Sequence, residues 1–389
     1  MVLQEKDIYN IIIGSALLAA GGGGSVTDGL DLLQNYKNRN PGKKIQVEMI
    51  DVTEMDDTAC AVGIAGMGAP TKGANKDFTP CAASCYDEVS QMAVRMGKVI
   101  KYVMPIEMGG FNTFAPMLAS LDTGFPTVDA DGAGRAVPGL DTALMHVNGY
   151  DTSPIAMADE FNNRVEIIMN DPRNATGAQK IAAPIANGYF EGNACIAGWM
   201  MNKSQIQDAL PTGTVTLAKR IGEIIEDAIK EKSNGYVAEI FEMINKLLKV
   251  ESRAITKIAK ITDYSPNPNP SFDNGYYYID DGTDRFKVAY ENENLVLYKS
   301  QDGKDVPFMT TPDIITMYNA KTGEPITNED IDQQFHAGRL DDLEIVAGIM
   351  RVDNKWWKNP ENVDNVWREY FADVGYTGGV IRYPAEGVK

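Results

Sequence analysis

The sequence predicts an α/β N-terminal domain, with a mostly parallel sheet covered by helices, followed by a smaller β-rich C-terminal domain. Three observations predict it. Short apolar runs alternate with helix-period stretches through residue 200, as in sheets whose strands are joined by crossover helices. After residue 250 that period gives way to short aromatic and β-branched runs separated by turn residues. The 389 residues also exceed what one small core accommodates. The division falls near residue 250, with residues 1–250 forming the α/β domain and residues 251–389 the β-rich one.

Residues 6–20 read as a buried first helix, with Ile8, Ile11, Ile12 and Leu18 on or near one face. Gly21–Gly24 follow, and Ser25 is placed to N-cap a second helix from Val26 to about Lys37, with Asp28 in its first turn. Lys44–Asp51 and Ala59–Gly66 read as strands, the second leaving through Met67-Gly68-Ala69-Pro70. Residues 72–82 read as a loop and Ser84–Lys98 as a helix, with Met92 and Met96 as core filler. A strand at 99–106, a helix at 113–123, a strand at 125–128 and a helix at 140–148 follow. Ser153–Asp159 and Asn163–Met169 read as strands, Ala175–Gly188 as a helix, and Asn193–Met201 as a strand before a short capped helix. Thr214–Lys249 is a long amphipathic stretch with a break at Ser233-Asn-Gly235. In the second domain, Arg253–Thr262 alternates, and Tyr276–Ile279, Phe286–Tyr290 and Leu295–Tyr298 are short strands. Pro312–Tyr318 reads as a short helix, and Trp356, Trp357 and Trp367 as core packing.

A net charge of −18 argues against nucleic acid and anionic membrane as partners, because neither would be attracted. The N-terminus lacks a basic n-region and acidic residues precede the Ile11–Ala20 run, so a cytoplasmic protein is expected. Apolar runs are too short to span a bilayer. The four Cys are irregularly spaced and only two His are present, which speaks against a disulfide framework and a structural zinc. Cys81, Cys85 and Cys195 read as buried, inert thiols.

The chemistry-bearing residues concentrate in two strand-to-loop junctions, where open α/β sheets place their ligands. The first is Glu107-Met-Gly-Gly-Phe-Asn112 and the second Asp129-Ala-Asp131-Gly-Ala-Gly134-Arg135. The structural alternative is that Asp129 and Asp131 cap a following turn and Arg135 pairs with one of them. The four-glycine run followed by a helix exposes backbone N–H groups beside a positive helix end. It lacks the Gly-Lys-Ser/Thr tail of a P-loop and follows a helix rather than a strand, so it is not a dinucleotide fingerprint.

Taken together, Gly21–Gly24, Met67–Pro70, Glu107-x-Gly-Gly-x-Asn112-x-x-x-Pro116, Asp129-Ala-Asp131-Gly-x-Gly134-Arg135-Ala-x-Pro138 and Asn292-Glu293-Asn294-Leu295 resemble a bacterial family. That family is linked to S-methyl-thiohydantoin desulfurase and is met beside hydantoinases and oxoprolinases. The resemblance implies an α/β domain before a β-rich one, and hydrolytic loss of a thiol from a hydantoin-like five-membered ring. The family usually follows its poly-Gly loop with an Asp-Pro-Tyr-like segment, where this chain has Ser25-Val-Thr-Asp28.

Such a hydrolysis needs a general base, a donor for developing negative charge and a proton for the leaving group. Glu107, Asp129 and Asp131 are the candidate catalytic carboxylates, since crowding raises one pKa and makes an acid–base pair. Arg135 offers a planar fork for a carbonyl or carboxylate. Asn112 and the N–H groups of Gly22, Gly23 and Gly24 are candidate oxyanion donors, with Ser25, Met67 and Gly68 as further substrate contacts. A divalent metal, Mg²⁺ or Mn²⁺ rather than zinc, on Asp129 and Asp131 stays open. So do a non-catalytic binding subunit or sensor, and a nucleotide-using enzyme. The expected partner is a small-molecule substrate, with a homo-oligomer as the expected assembly.

Overall fold

A computed structural model describes residues 1–68, 77–237, 239–267 and 272–384. Its first sheet contains β1 (Val2–Gln4), β2 (Gln46–Ile50), β3 (Cys60–Met67), β4 (Ile100–Pro105), β5 (Thr127–Val128), β6 (Ile155–Ala158), β7 (Arg164–Ile167) and β8 (Ala194–Asn202). The spatial order is β1-β2-β5-β4-β3-β8-β6-β7. Only the block β2, β5, β4, β3 is parallel. β1, β8, β6 and β7 all pair antiparallel. The sheet is therefore mixed, which corrects the mostly parallel expectation. β6 and β7 are joined by a short turn, and a link that short permits only an antiparallel pair. The direction in which β8 returns beside β3 leaves no mark on its residues, which are buried from Ala194 to Met201.

The second domain is a curled antiparallel sheet of β9 (Ser252–Ala254), β10 (Ala259–Pro266), β11 (Asn274–Asp280), β12 (Arg285–Glu291), β13 (Glu293–Gln301), β14 (Lys304–Thr310), β15 (Ile314–Asn319) and β16 (Glu344–Met350). The order is β14-β13-β12-β11-β10-β16-β15, with β9 also on β16. The curl brings β13 back against the β15 end, where the Thr311 N–H reaches Leu295 O at 2.8 Å and Asn294 Nδ2 reaches Ile315 O at 2.9 Å. Of residues 312–318, expected as a short helix, Pro312 and Asp313 instead lead into β15, which is paired along its length with β16. Ile314, Ile315 and Thr316 are β-branched and buried on both faces, and a ladder with packing on each side outweighs the local helix signal. Successive residues serve different cores. Ala289 and Val296 face the core of the first domain, while Val288 and Leu297 face that of the second sheet. The β-rich domain also carries the helices Asn328–His336 and Pro360–Asp373. Trp356 and Trp367 are fully buried, and Trp356 Nε1 donates to Ala133 O at 2.7 Å.

Helix α1 (Glu5–Leu18) leads into the glycine run, and α2 (Val26–Arg39) leaves it. The expected helix at 84–98 begins earlier, at Thr79, and ends at Arg95. The long amphipathic stretch resolves into the helices Thr214–Glu231 and Ile240–Leu248. The helix Thr214–Glu231 packs directly on α1, backbone against backbone. A Cβ on Gly14 would sit 1.8 Å from Ala218 O, and one on Gly222 would sit 2.0 Å from Asn10 O. Among the described residues no helix is long and apolar enough to cross a membrane.

Gly222→Ala is expected to lower the unfolding free energy by about 1–3 kcal/mol in urea denaturation, although Ala favours a helix by about 1 kcal/mol over Gly. The obstructing atom is a backbone oxygen that cannot rotate away. A stabilised variant would show that the two helices are not in this contact.

Candidate functional site

The glycine run and the Glu107 junction are two loops laid backbone against backbone. Gly23 and Gly24 have φ of +66° and +82°. A Cβ on Gly23 would lie 2.5 Å from Met108 O, and one on Gly24 would lie 2.3 Å from Phe111 Cβ. From the other side, a Cβ on Gly109 would meet Gly23 O at 2.0 Å. The Gly110 and Asn112 N–H groups donate to Gly24 O and Gly23 O at 3.0 and 3.1 Å. Only residues without side chains allow this approach.

The interlock orients Glu107 at the C-terminal end of β4. Asn112 Nδ2 donates to Glu107 Oε1 at 2.5 Å, and Asn112 Oδ1 accepts from the Gly66 N–H at 2.8 Å. The Val137 N–H donates to Glu107 Oε2 at 2.7 Å. These loops enclose a cavity of about 120 Å³. Gly22, Gly23, Gly24, Met67, Gly68, Glu107 and Asn112, all sequence candidates, line it.

The cavity holds a second carboxylate. Glu293 comes from the other domain, immediately after the one-residue turn at Asn292 (φ +53°) between β12 and β13. It is 3% exposed, and its Oε2 has no partner among the described residues. Burial, with the nearby Glu107 charge, holds Glu293 well above the usual carboxylate range, and Arg135 only partly opposes this. Burial pushes Glu107 up to about 7 against the lowering effect of its Val137 and Asn112 hydrogen bonds. Two carboxyls that resist ionisation to different extents thus share one small chamber. Gln179, Asn187, Phe272 and Asn292 complete its polar and aromatic wall. None of these four, nor Glu293, was named from sequence as a site residue. The signal for Glu293 was its place in the Asn292–Leu295 motif.

The second junction does different work. Asp129 caps the helix Thr214–Glu231, accepting from the Thr216 N–H at 3.0 Å and Thr216 Oγ1 at 2.5 Å. Asp131 caps its own turn through the Ala133 and Gly134 N–H groups at 2.9 and 2.7 Å, and burial pushes it up to about 7. Neither lines the chamber. The alternative of capping a following turn therefore describes Asp131, while Asp129 caps a distant helix instead. It does not describe Arg135, which is fully buried and gives its N–H groups to Ala136 O at 2.7 Å, Pro312 O at 2.9 Å, Asp313 O at 3.2 Å and Thr311 Oγ1. Bound this way it cannot clamp a substrate, but its charge stands behind the two glutamates. Ser25 is also outside the chamber. It N-caps α2 in a reciprocal pair with Asp28, so the departure from the family pattern at Asp28 serves a helix end.

As a metal pair Asp129 and Asp131 do not fit, because Asp129 spends both oxygens on Thr216, which leaves Asp131 Oδ1, buried and without a partner among the described residues, as a lone oxygen. Among the described residues no group of three or more His, Cys, Asp or Glu is arranged to hold a metal ion. Burial raises the thiols of Cys60, Cys81 and Cys195, which removes the thiolate a nucleophile needs.

Two family models match the chain in succession, the S-Me-THD-like N-terminal domain over residues 6–169 and the S-Me-THD-like C-terminal domain over residues 174–337. The chain belongs to the S-Me-THD-like family. The fold agrees with the crystal structure of a protein from Chromobacterium violaceum, at a TM-score of 0.84 and 23% identity, covering 99% of this chain and 100% of that one. Comparison with curated proteins gave no match. The C-terminal family model includes β8, which the fold places in the first sheet, so the two sheets and the two family models divide the chain differently.

Asp129→Ala is expected to cost about 1–2 kcal/mol in urea denaturation, the usual loss of a helix cap, while leaving ligand affinity of the chamber unchanged. A matching loss of affinity would return Asp129 to the site. Glu291 gives a pH test. It is fully buried, and burial with Asp373 nearby pushes it from an ordinary 4.5 up to about 8. Because the folded state then holds its proton more tightly than the unfolded state, this group's contribution is greatest below about 4.5 and is lost as pH rises through about 8. Glu291→Gln should flatten the fall in melting temperature between about pH 5 and pH 9. An unchanged slope would show that Glu291 does not titrate in this window.

Proposed function

We propose that this protein is a hydrolase acting on a hydantoin-like five-membered ring, adding water to a ring carbon that bears sulfur and releasing a thiol. The observation that carries the reading is the convergence of Glu107 and Glu293, one from each domain, on a chamber small enough for a single ring. Family membership supports the class of ring.

The residues supply a balanced sequence for a C=N carbon carrying an S-alkyl group. Ionised Glu107 accepts one proton of the water as its oxygen bonds to that carbon. The C=N electron pair moves onto the ring nitrogen, which Glu293 protonates. The C–S bond then breaks as the remaining O–H proton returns to Glu293 and the thiolate takes the proton held by Glu107. A carbonyl and a thiol result, and both carboxyls end as they began. The assignment follows the pKa order, since the more easily ionised Glu107 suits the base and Glu293 the acid. Gly22, Gly23 and Gly24 line the chamber, and since the Gly22 N–H is given to Ala19 O at 3.2 Å, meeting developing negative charge from this loop falls to Gly23 and Gly24.

A second reading, a binding subunit without turnover, draws on the hydrogen bonds that both Glu107 oxygens already accept. Each carboxylate oxygen has capacity for another. With S-methyl-thiohydantoin as substrate, Glu107→Gln and Glu293→Gln should each lower kcat about 10²–10⁴-fold while calorimetric affinity for the ring is retained. In the wild type, kcat/KM should rise with pH to a level reached above about 7, where Glu107 becomes ionised, and Glu107→Gln should lack that limb. Ring binding with no thiol release from the wild type would leave the binding role. No ring binding would remove both readings.

A further inference from the structure

A ring carbonyl brought into the chamber needs a hydrogen-bond donor, and few are on offer. Among the described residues no Lys, Arg or His lines the cavity. Arg135, the fork expected from sequence, is spent on its own loop and on the second domain. The Gly22 N–H goes to Ala19 O at 3.2 Å, and Asn112 Nδ2 goes to Glu107.

Gln179 supplies what is missing. It lies on the helix Ala175–Pro184, lines the chamber and is 9% exposed. The Leu140 N–H donates to its Oε1 at 3.2 Å. An N–H can be met only by an acceptor, so this bond fixes which end of the carboxamide is which. The Nε2 end makes no hydrogen bond among the described residues. It is not one of the sealed polar atoms that lack both a partner and accessible surface, as Glu293 Oε2 does. Gln179 therefore presents an unspent, accessible amide donor on the chamber wall.

One short stretch of chain sets this donor against the base. Val137, Pro138, Gly139 and Leu140 all line the chamber. The Val137 N–H holds Glu107 Oε2 at 2.7 Å, and the Leu140 N–H, three residues on, holds Gln179. The chamber, of about 120 Å³, brings a single ring within reach of both. Asn292 is turned in a comparable way, its Oδ1 accepting from the Asp273 N–H at 3.0 Å. It stands, however, on a wall shared with a neighbouring cavity of about 390 Å³, which Gln179 does not line.

On the hydrolase reading, on which this rests, we propose that Gln179 selects the ring by donating from Nε2 to a ring carbonyl oxygen. That carbonyl lies one ring nitrogen away from the carbon that water attacks. The substrate class is then a ring of the imide type, and cyclic ureas or thio-imidazolines without the second carbonyl are disfavoured. A site built to hydrogen-bond a substrate group discriminates against the analogue that lacks it, because the site's own polar group is left unpaired. The bond also stops the ring from turning in its plane, and so fixes which carbon meets Glu107.

Isothermal titration calorimetry on the full chain at pH 8 tests this with two neutral rings. One is hydantoin, which the proposed reaction leaves behind. The other is 2-imidazolidinone, the same cyclic urea without the second carbonyl. The wild type should bind hydantoin about tenfold more tightly. Gln179→Met has the same length and no donor, and should bring the two affinities within about twofold of each other by weakening hydantoin alone. Gln179→Glu keeps an oxygen for the Leu140 N–H, and carries the same comparison should Gln179→Met fail to fold. A wild-type preference near one, or a preference that survives both substitutions, overturns the proposal. So does equal weakening of both rings, which reports a change of chamber shape. Hydantoin binding with an unchanged preference removes this inference alone. Absence of binding by hydantoin and S-methyl-thiohydantoin alike removes the hydrolase reading and this inference together.

Discussion

A guanidinium with no solvent contact must find acceptors for its N–H groups, and Arg135 finds most of them on the opposite domain. Thr311, Pro312 and Asp313 lie on the approach to β15, and their oxygens converge on Arg135 Nη1. Burying a charge this deeply is unfavourable unless it is fully hydrogen-bonded and balanced by opposite charge. The strand approach supplies the bonds, and the nearby carboxyls of Asp313 and Glu107 favour its charged form. The curl of the second sheet, which returns β13 to β15, places these acceptors beside Glu293. Domain packing and site electrostatics therefore rest on the same cation.

The interlocked glycine loops solve a related problem on the other wall. A chamber built by two loops in backbone contact has few side chains to move, so Glu107 is held by bonds to Asn112 and Val137 rather than by chance packing. The Met108 N–H also reaches Arg135 O at 3.2 Å, joining the first junction to the second. Asp129 at the second junction serves the fold, without touching the chamber. Asp129 anchors the helix that packs on α1, and α1 delivers the glycine run.

Local patterns showed which residues were special but not always what made them so. The Asp129–Arg135 cluster stood out because carboxylates, glycines and an arginine rarely coincide without purpose. Its polar groups cap and brace: Asp129 holds Thr216, Asp131 Oδ2 holds the Ala133 and Gly134 N–H groups, and Arg135 reaches the second domain. Glu293 lay in a hairpin that looks ordinary in isolation. Its neighbour Glu107 is nearly two hundred positions away in the chain, and no local period reports that meeting. Residues 312–318 show the same limit at the level of secondary structure, because their strand state depends on β16.

By itself the sequence determined the helix–glycine–helix entry, the Ser25 cap, most strands of the first domain and several of the second. Each rests on interactions between residues close in the chain, where spacing, capping chemistry and the absence of side chains are visible directly. Only the tertiary structure decided strand direction around β8, the strand state of β15, the role of Arg135 and the pairing of Glu107 with Glu293. Those depend on which distant backbone approaches, and on how much water its approach removes from a charged group.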